Sequence, residues 1–470
     1  MLKGLEISVL NLSEVRNSIE DFRIHSEFFK KEFLKNEIKL KSFNSKPLST
    51  YSKISDGDHS KFPDNQKREV RYLQARDIND NFLEITSDVF VSKTYLDKNK
   101  RSLLKGEDIL LSIMGTVGDI TILPKDFKPA MCNRALAIIK NIKGISPQFL
   151  FSYLTTKFAF IEIERLKNGG VQQRLNLDVL SKLRIPNLGI EFQKMIEVIV
   201  LKAQDTRLLS KQSYTKAKNL LLEEIGLQNF TPSKEPVNIK SFKDSFGTSG
   251  RLDAEYYQPK YEKIEQAIKS YSNGFETLDA FIDDYSTGYP YKSSSYIKEN
   301  GIPLIRINNI KKGHLDLSKA IQIPKEDLDL STKDIAYEND ILISMSGTIG
   351  NSCKIPKGIK AVVNQRIMKI TPKNFNNEVL PLLINSVIGE FQLNRIGTGG
   401  VQTNISSTDI RKIFIPKIIE NKQQQIANLI EQSFTLKKQS KHLLEVAKRA
   451  VEIAIEENEE VAIEWIINNE

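Results

Sequence analysis

The sequence predicts an α+β fold in which two homologous globular α/β domains are separated by two long antiparallel coiled-coil helices, with pseudo-two-fold symmetry. Three observations predict it. The sequence contains an internal duplication, each copy begins with a strand-rich part, and each copy ends in a long proline-free stretch with regularly spaced apolar residues. A length of 470 residues is also too great for one ordinary domain.

An internal duplication organises the chain. Residues 106–118 read GEDILLSIMGTVG and residues 338–350 read ENDILISMSGTIG, identical at seven of 13 positions at an offset of 232. RIHSEFF at 23–29 likewise returns as RLDAEYY at 251–257. Shorter matches keep nearly the same register: Arg134 and Arg366, GGVQ at 169–172 and 399–402, Ile185-Pro186 and Ile415-Pro416, Gln193 and Gln423. Because this period far exceeds that of a solenoid, each copy is a whole domain with its helix.

The first part of each copy is strand-rich. Short apolar stretches such as 108–114 and 135–139 are bounded by Gly, Pro, Asn and Asp, the residues that turns favour. The GTVG segment at 115–118 is interpreted as a hairpin turn rather than as a ligand-binding loop.

Long helices are predicted at 190–227 and 420–457, which contain no proline. Small and apolar residues recur there at spacings of three and four, which is typical of a coiled-coil seam. The seam is assigned to Ile196, Ile199, Ala203, Leu220, Ile426, Leu429, Leu436, Leu443 and Ala447. The alternative is an amphipathic helix that covers only its own domain, although about 35 residues rise roughly 50 Å, more than a small domain needs.

These features divide the chain into five parts. A first domain at 1–187 is followed by a spacer helix at 188–228, a second domain at 229–417, a second spacer helix at 418–460 and a C-terminal tail at 461–470. Residues 229–249, rich in Ser, Lys, Pro and Asn, are expected to link the two copies.

Composition limits the classes of function. Lys plus Arg (68) exceed Asp plus Glu (59), which gives a net charge of +9 and favours a polyanionic partner without proving one. No apolar run approaches the roughly 20 residues of a membrane span, and no secretory signal is visible, so a cytoplasmic protein is expected. Cys132 and Cys353 offer neither a disulfide framework nor a metal quartet.

Familiar catalytic signatures are missing from the sequence. It has no P-loop, no dinucleotide-type glycine fingerprint, and no Asn or Asp followed by two prolines and an aromatic residue. The four histidines stand singly, so no metal site is expected. A large duplicated chain without visible catalytic residues favours a binding scaffold over an enzyme.

Each copy carries polar, basic and Gly-rich loops suited to nucleic acid. Arg can bridge the two major-groove acceptors of guanine, Asn and Gln can pair with adenine, and Lys and backbone amides contact phosphates. The candidates in the first copy are Asp58, His59, Lys61, Gln74, Arg76, Asn79, Gly169, Gly170, Gln172, Gln173 and Arg174. Those in the second copy are Tyr289, Tyr291, Lys292, Arg306, Asn308, Asn309, Lys311, Lys312, Gly399, Gly400, Gln402 and Asn404. The alternatives are a tight turn before a helix for each Gly-rich loop, and a solvated surface role for any single polar residue.

The two copies match in their turns and helices, but the sequence of residues 56–79 in the first copy differs from that of residues 285–312 in the second. A shared scaffold with different loops would read two different short sequences.

The order of these motifs resembles that of the specificity subunit of type I restriction–modification systems, or the closely similar type IIB specificity subunit. The features that carry the resemblance are the DILLSIMGTVG and DILISMSGTIG segments, the GGVQ loops, the Ile-Pro pairs before the long helices and the two-copy layout. The resemblance covers nearly the whole chain. The stretch at 1–46 that precedes the first recognition domain is longer than the family's common opening. The RIHSEFF and RLDAEYY segments look like those of the type IIB specificity chains.

The resemblance implies a function in phage defence. Two target-recognition domains would each read one half of a bipartite, asymmetric double-stranded DNA target. The helices would set the spacer and dock two methyltransferase subunits, with restriction or translocase subunits as further partners. No cofactor would bind this chain, since S-adenosylmethionine, Mg²⁺ and ATP would belong to the partner subunits.

Two other classes of function remain open. One is an autonomous DNA nuclease or methyltransferase with an unrecognised site, and the other is a coiled-coil scaffold that does not bind DNA.

Overall fold

A computed structural model describes residues 8–18, 26–60, 67–167, 174–233, 235, 237–397 and 404–470. The chain divides into two compact units: unit 1 consists of residues 1–209 and 436–470, and unit 2 of residues 210–435. Both units mix helices and sheets, which confirms the predicted α+β class. Each unit contains part of each long helix, so the units do not coincide with the segments into which the sequence was divided.

The helices that precede the linker are α1 (Leu12–Ser18), α2 (Lys31–Lys41), α3 (Leu48–Tyr51), α4 (Lys93–Lys98), α5 (Pro147–Leu154), α6 (Lys157–Leu166), α7 (Leu177–Ser181) and α8 (Ile190–Glu224). Those that follow are α9 (Phe246–Ser249), α10 (Pro259–Lys269), α11 (Val379–Asn385), α12 (Val387–Ile396), α13 (Ser407–Arg411), α14 (Glu420–Glu456) and α15 (Glu459–Asn469). The two long helices, α8 and α14, have 35 and 37 residues, close to their predicted bounds.

The strands of unit 1 are β1 (Lys46–Pro47), β2 (Lys53–Asp56), β3 (Val70–Leu73), β4 (Ile78–Asn79), β5 (Phe82–Leu83), β6 (Phe90–Val91), β7 (Leu103–Leu104), β8 (Ile109–Ser112), β9 (Ile120–Ile122), β10 (Ala130–Cys132), β11 (Leu136–Lys140) and β12 (Arg184–Ile185). Those of unit 2 are β13 (Phe275–Thr277), β14 (Ile282–Ser286), β15 (Ile302–Ile305), β16 (Ile310–Lys311), β17 (His314–Leu315), β18 (Gln322–Ile323), β19 (Ile335–Ala336), β20 (Ile341–Ser344), β21 (Ser352–Lys354), β22 (Ala361–Val363), β23 (Ile367–Pro372) and β24 (Phe414–Pro416).

The two units have the same sheet topology. Unit 1 contains four-stranded sheets in the orders β6-β3-β10-β7 and β2-β11-β8-β9, and unit 2 contains β18-β15-β22-β19 and β14-β23-β20-β21. The pairs β1-β12 and β4-β5 correspond to β13-β24 and β16-β17. In each unit one central pair is parallel, β3 with β10 and β15 with β22. The GTVG and GTIG segments connect β8 to β9 and β20 to β21, as the predicted hairpin turn requires.

One sequence match between the copies does not hold in the structure. Strands β9 and β21 lie at an offset of 232, but β10 and β22 lie at an offset of 231, so the second copy is one residue shorter between them. The backbone N–H of Arg134 bonds to Asp58 (2.9 Å), and that of Gln365 bonds to Tyr289 (3.1 Å). Arg134 therefore corresponds to Gln365, and Arg366 corresponds to Ala135.

The seam residues of the long helices are buried or half-buried. In unit 1, the apolar cluster contains Ile196, Ile199 and Ala203 of α8 together with Leu443 and Ala447 of α14. In unit 2, Leu220 of α8 packs half-buried against a cluster that includes Ile426 of α14, and Leu429 packs there too. Leu436 is half-buried. The N-terminal part of α8 thus packs against the C-terminal part of α14 in unit 1, and the C-terminal part of α8 packs against the N-terminal part of α14 in unit 2. This is the arrangement of antiparallel helices.

The described part of the first repeated segment, residues 26–29, is held in the same way as residues 254–257 in unit 2. Arg165 of α6 donates from Nε to the carbonyl of Phe28 (2.9 Å) and pairs with Glu37 of α2 (2.7 Å). In unit 2, Arg395 donates to the carbonyl of Tyr256 (3.0 Å) and pairs with Glu265 of α10 (2.6 Å). These segments therefore belong to the body of each unit.

The C-terminal residues 461–470, assigned from the sequence to a tail, belong to helix α15. Ala462 and Ile466 are buried in the core of unit 1, and Glu459 accepts the backbone N–H of Gly189 (2.8 Å) just before α8. Within the described ranges, no helix combines the length and apolar character that a membrane crossing requires.

Candidate nucleic-acid interface

Five segments meet at one end of the unit 1 sheets. Their main chains are joined in sequence by four hydrogen bonds: Asp58 N to Cys132 O (2.7 Å), Asn133 N to Leu73 O (3.1 Å), Ile113 N to Ala135 O (2.8 Å) and Leu175 N to Ile113 O (3.1 Å). We call the surface formed by residues 57–60, 74–76, 113–118, 133–135 and 174 the loop face of unit 1.

Unit 2 builds the same surface. The corresponding bonds are Tyr289 N to Val363 O (3.0 Å), Asn364 N to Ile305 O (2.9 Å), Met345 N to Arg366 O (2.9 Å) and Ile405 N to Met345 O (2.9 Å). The loop face of unit 2 consists of residues 288–291, 306–308, 345–350, 364–366 and 404.

A glycine permits the close approach at the centre of each loop face. A Cβ on Gly57 would lie 2.2 Å from the carbonyl oxygen of Asn133, and one on Gly288 would lie 2.0 Å from that of Asn364. Gly288 also has a left-handed φ of 76°. Because neither backbone oxygen can move away without breaking the strand pairing, both positions favour glycine.

Three of the candidate side chains in unit 1 differ in exposure. The Asp58 carboxylate is buried and accepts the hydroxyls of Tyr72 (3.2 Å) and Tyr95 (2.8 Å). Burial and this carboxylate together raise the pKa of Tyr72. The exposed His59 lies against Asp56, and Arg76 is also exposed. Asp58 therefore shapes the loop face rather than presenting a free group on it.

Gln74 and Arg306 occupy the same backbone position. Each precedes a 3-10 turn, and a buried side chain three residues later closes that turn: Asp77 accepts the N–H of Gln74 (2.8 Å), and Asn309 accepts that of Arg306 (2.9 Å). Asn309 also donates to the carbonyl of Asp316 (2.9 Å). Asn309, a candidate base contact, is thus a structural residue with the same role as Asp77, while Gln74 and Arg306 remain half-exposed.

The candidate Asn79 lies in the hairpin β4-β5, which packs on the long helices. Asn79 donates to Glu84 (3.1 Å), and Glu84 forms an ion pair with the buried Arg207 of α8. The guanidinium of Arg207 stacks on Phe82, 4.9 Å from the ring centre. In unit 2 the hairpin β16-β17 meets α8 where Tyr214 contacts Gly313.

The other candidates in unit 2 are placed as follows. Tyr291 is buried and its ring lies 4.9 Å from that of Tyr289. Lys292, Asn308 and Lys311 are exposed, and Lys312 pairs with Glu390 of α12 (3.0 Å).

Eight candidates lie outside the described residues: Lys61, Gly169, Gly170, Gln172, Gln173, Gly399, Gly400 and Gln402. The residues that follow the two Gly-rich loops are described. Arg174 bridges to Met114, and Asn404 bridges to Ser346, so both loops rejoin the fold beside the GTVG-type hairpins.

The structure adds exposed polar residues that the sequence candidates omitted, namely Arg134, Gln365 and Arg366. They follow the parallel strands β10 and β22 and lie next to Asp58 and Tyr289. The sequence pairs Arg134 with Arg366, a match that the structure does not support, and only the strand pairing places these residues beside the other loops.

Charge on the loop face of unit 1 is suited to a polyanion. Two carboxylates near it are engaged: Asp58 by two tyrosines, and Asp56 by His59 and by Arg101 (2.7 Å). Arg76, Arg134 and Arg174 are exposed, and none of them forms an ion pair with a described residue. Phosphate groups would therefore meet uncompensated guanidinium groups there.

No cluster of three or more His, Cys, Asp or Glu side chains suited to a metal ion occurs among the described residues. Cys132 and Cys353 are buried in the cores, and burial raises the pKa of the Cys353 thiol to about 12.

Comparison with known proteins places the chain in a family. A family model for the type I restriction modification DNA specificity domain matches residues 52–214 and 281–446, well over half of the chain. The two matches fall on the two copies of the repeat. The chain therefore belongs to the family of type I restriction modification DNA specificity domains, whose members are non-catalytic parts of restriction–modification complexes.

The individual proteins that are similar to this chain share only a low sequence identity with it. The specificity subunit of the type I restriction enzyme EcoBI from Escherichia coli is 27% identical over 139 residues, which is 29% of each chain, so the match spans less than a third of that subunit. The S subunit of a type I system from M. genitalium has a TM-score of 0.41 at 12% identity and covers 90% of this chain and 95% of that one. The HsdS subunit from Thermoanaerobacter tengcongensis has a TM-score of 0.29 at 13% identity, with coverage of 88% and 96%.

Proposed function

We propose that the chain is the subunit that selects the DNA target of a restriction–modification complex. Unit 1 reads one half of a bipartite duplex target, and unit 2 reads the other half. The target is asymmetric because the two loop faces carry different side chains. Catalysis takes place on partner subunits, which bring S-adenosylmethionine, Mg²⁺ and ATP.

The observation that carries this proposal is the repeated loop face. The same backbone framework, with the same sequence of hydrogen bonds, presents Gln74, Arg76 and Arg134 in unit 1. It presents Arg306, Asn308 and Gln365 at the same places in unit 2. These residue types are the ones that recognise base edges, and a constant framework with exchanged side chains is what reading two different short sequences requires.

The long helices supply the spacing. Helix α8, at 35 residues, is roughly 50 Å long, a length comparable to about 15 base pairs at roughly 3.4 Å each. We propose that α8 and α14 fix the length of unread sequence between the half-sites and also dock two methyltransferase subunits. Exposed apolar side chains on α8, such as Val198 and Leu208, are available for that contact.

Selection from a randomised duplex DNA pool tests target reading. The full chain, alone and with the subunits that co-purify with it, is incubated with the pool, and the bound DNA is sequenced. We expect two short specified sequences separated by a spacer of constant length. Enrichment of a single contiguous sequence, or of none, would contradict the proposal. A binding constant that does not fall with salt would contradict a phosphate-contacting interface.

Co-purification tests the partners. The tagged chain isolated from its own cells should carry a DNA methyltransferase at two copies per chain. Isolation without a methyltransferase would contradict the docking role while leaving the DNA-binding role to the selection experiment.

A further inference from the structure

Among the described residues with a left-handed backbone, Arg366 is unusual. Its φ is 68°, and the other non-glycine residues with positive φ are Asn or Asp, with the one exception of Glu107. Asn and Asp tolerate this conformation, whereas a longer L side chain pays a steric cost. A strained arginine persists where the surrounding structure holds it, and such positions cluster at functional sites.

The backbone conformation of Arg366 fixes where its side chain leaves the loop face. Arg366 is exposed, and its carbonyl accepts the N–H of Met345 (2.9 Å), which ties its backbone to the GTIG hairpin. Within the described part of the chain, its side chain has no hydrogen-bond or ion-pair partner. The backbone of Arg366 is thus held at a fixed place, while no described residue engages its side chain.

A second observation at the same place points to a polar ligand. Two polar side-chain atoms there are buried and lack a hydrogen-bond partner among the described residues: Nε of Arg306 and Oδ1 of Asn364. The backbone links both residues to Arg366, because Asn364 lies two positions before it and donates its N–H to Ile305, the residue before Arg306. Buried polar groups normally have partners, so this pair fits a ligand with polar edges.

We infer that Arg366 reads a guanine in the half-site of unit 2. An arginine can donate two hydrogen bonds to O6 and N7 of guanine in the major groove, a pairing that no other base edge offers. In unit 1 the same position is Ala135, so the half-site of unit 1 lacks this contact. The inference deepens the proposed function and rests on it.

The substitution Arg366→Gly tests the inference without threatening the fold. Glycine adopts a left-handed φ freely, so the variant should unfold at the same temperature as the parent chain or slightly higher. Asn339→Gly is the matched control, because Asn339 is an exposed residue with a φ of 74° before the start of β20, whereas Arg366 is tied to the residue that follows the end of that strand. Arg366→Lys keeps the charge but not the two-pronged geometry.

The full chain and each variant are compared by selection from the randomised duplex pool, followed by binding measurements on the selected site and on its single-base variants. We expect Arg366→Gly to lose the preference for guanine at one position of one half-site, by roughly 5- to 150-fold, while the other half-site is unchanged. Arg366→Lys should lose most of the preference, and Asn339→Gly should lose none.

The outcomes separate the two proposals. If the parent chain selects a bipartite site and Arg366→Gly selects the same site with undiminished preference at every position, the assignment of Arg366 is wrong and the proposed function stands. A uniform loss of affinity without a change of base preference would also overturn it, since that is the result for a phosphate contact. If the parent chain selects no site, the proposed function itself fails.

Discussion

Ser210 and Ser433 donate their hydroxyl groups to each other's main-chain carbonyl oxygens, both at 2.8 Å. One belongs to α8 and the other to α14, and both are buried in unit 2. A side chain that reaches the backbone of the neighbouring helix requires the two helices to approach closely. The small, polar residues of the seam therefore allow the two helices to pack this closely.

Substitution of Ser433 should separate the hydrogen bond from the packing. Ser433→Ala should cost about 1 kcal/mol, because one hydrogen bond is lost and no polar group is left unsatisfied in its place. Ser433→Leu should cost about 1–3 kcal/mol more, because the added volume forces the helices apart. Urea unfolding of the full chain measures both, with the exposed Gln439→Leu as the control. Equal costs for Ala and Leu would mean that the helices are not closely packed here.

Glu162 should make the stability of unit 1 depend on pH. It accepts the N–H of Arg184 (3.2 Å), and the same place in unit 2 is held by Gln392, which accepts the N–H of Phe414 (2.7 Å). Burial raises the pKa of Glu162 to about 8, so the folded protein holds a proton there that the unfolded chain releases above about pH 4.5. The stability contributed by the neutral carboxyl is complete below that pH and is lost as the pH rises toward 8.

Glu162→Gln should remove this dependence. The variant should gain stability relative to the parent as the pH rises from 5 to 8, by up to about 1.4 kcal/mol per pH unit. Unfolding in urea at several pH values measures the difference, and the exposed Glu191→Gln serves as the control. Parallel pH profiles for Glu162→Gln and the parent would show that Glu162 is ionised in the folded protein.

The shared backbone position of Gln74 and Arg306 predicts an exchange of base preference. Arg306→Gln should convert a preference for guanine to one for adenine at one position of the unit 2 half-site, and Gln74→Arg should do the converse in unit 1, each with a discrimination of about 1–3 kcal/mol. Selection from randomised DNA measures both. Neither substitution touches the Asp77 or Asn309 contacts that close the turn, because those contacts use the backbone N–H. A change in both half-sites from one substitution would contradict the assignment.

The ruler role predicts a longer spacer from longer helices. One heptad inserted into α8 after Leu209, together with one inserted into α14 after Thr435, keeps the seam in register and adds about 10 Å. The spacer of the selected site should grow by about three base pairs while both half-sites stay the same. A heptad inserted into α8 alone should abolish selection, because the seam would no longer match. An unchanged spacer in the double insertion would exclude the helices as the ruler.

The features that could be predicted from the sequence were those with a local signal. The repeat predicts two similar units. The absence of proline from 190–227 and 420–457 predicts the long helices, and the spacing of residues such as Ile196 and Ala447 predicts which side of each helix is buried. The GTVG turn was also local, since glycine at 115 and 118 permits the positive φ values found there, 81° and 111°.

The composition of the loop face could not be predicted because it depends on long-range pairing. Nothing in the sequence tells that Asp58 lies beside Cys132, or that Asn133 bonds to Leu73. For the same reason, the sequence does not reveal that the polar groups of Asp58 and Asn309, both candidate DNA contacts, are used inside the fold. The second copy is one residue shorter before β22, so Ala135, the position of unit 1 that corresponds to Arg366, is not evident from the sequence. Only the strand pairing shows where the offset between the two copies changes.

Unit 1 is assembled from segments that lie on both sides of unit 2 in the sequence. Residues 436–470 supply Leu443, Ala447 and Ile466 to a core that is otherwise built from the first 209 residues. During synthesis, that core waits for the whole of unit 2 to be translated, which takes on the order of tens of seconds at bacterial-type elongation rates. The nascent protein therefore exposes an apolar surface until residues 436–470 leave the ribosome, and a frameshift or stop codon before them would damage unit 1, most of which is encoded earlier.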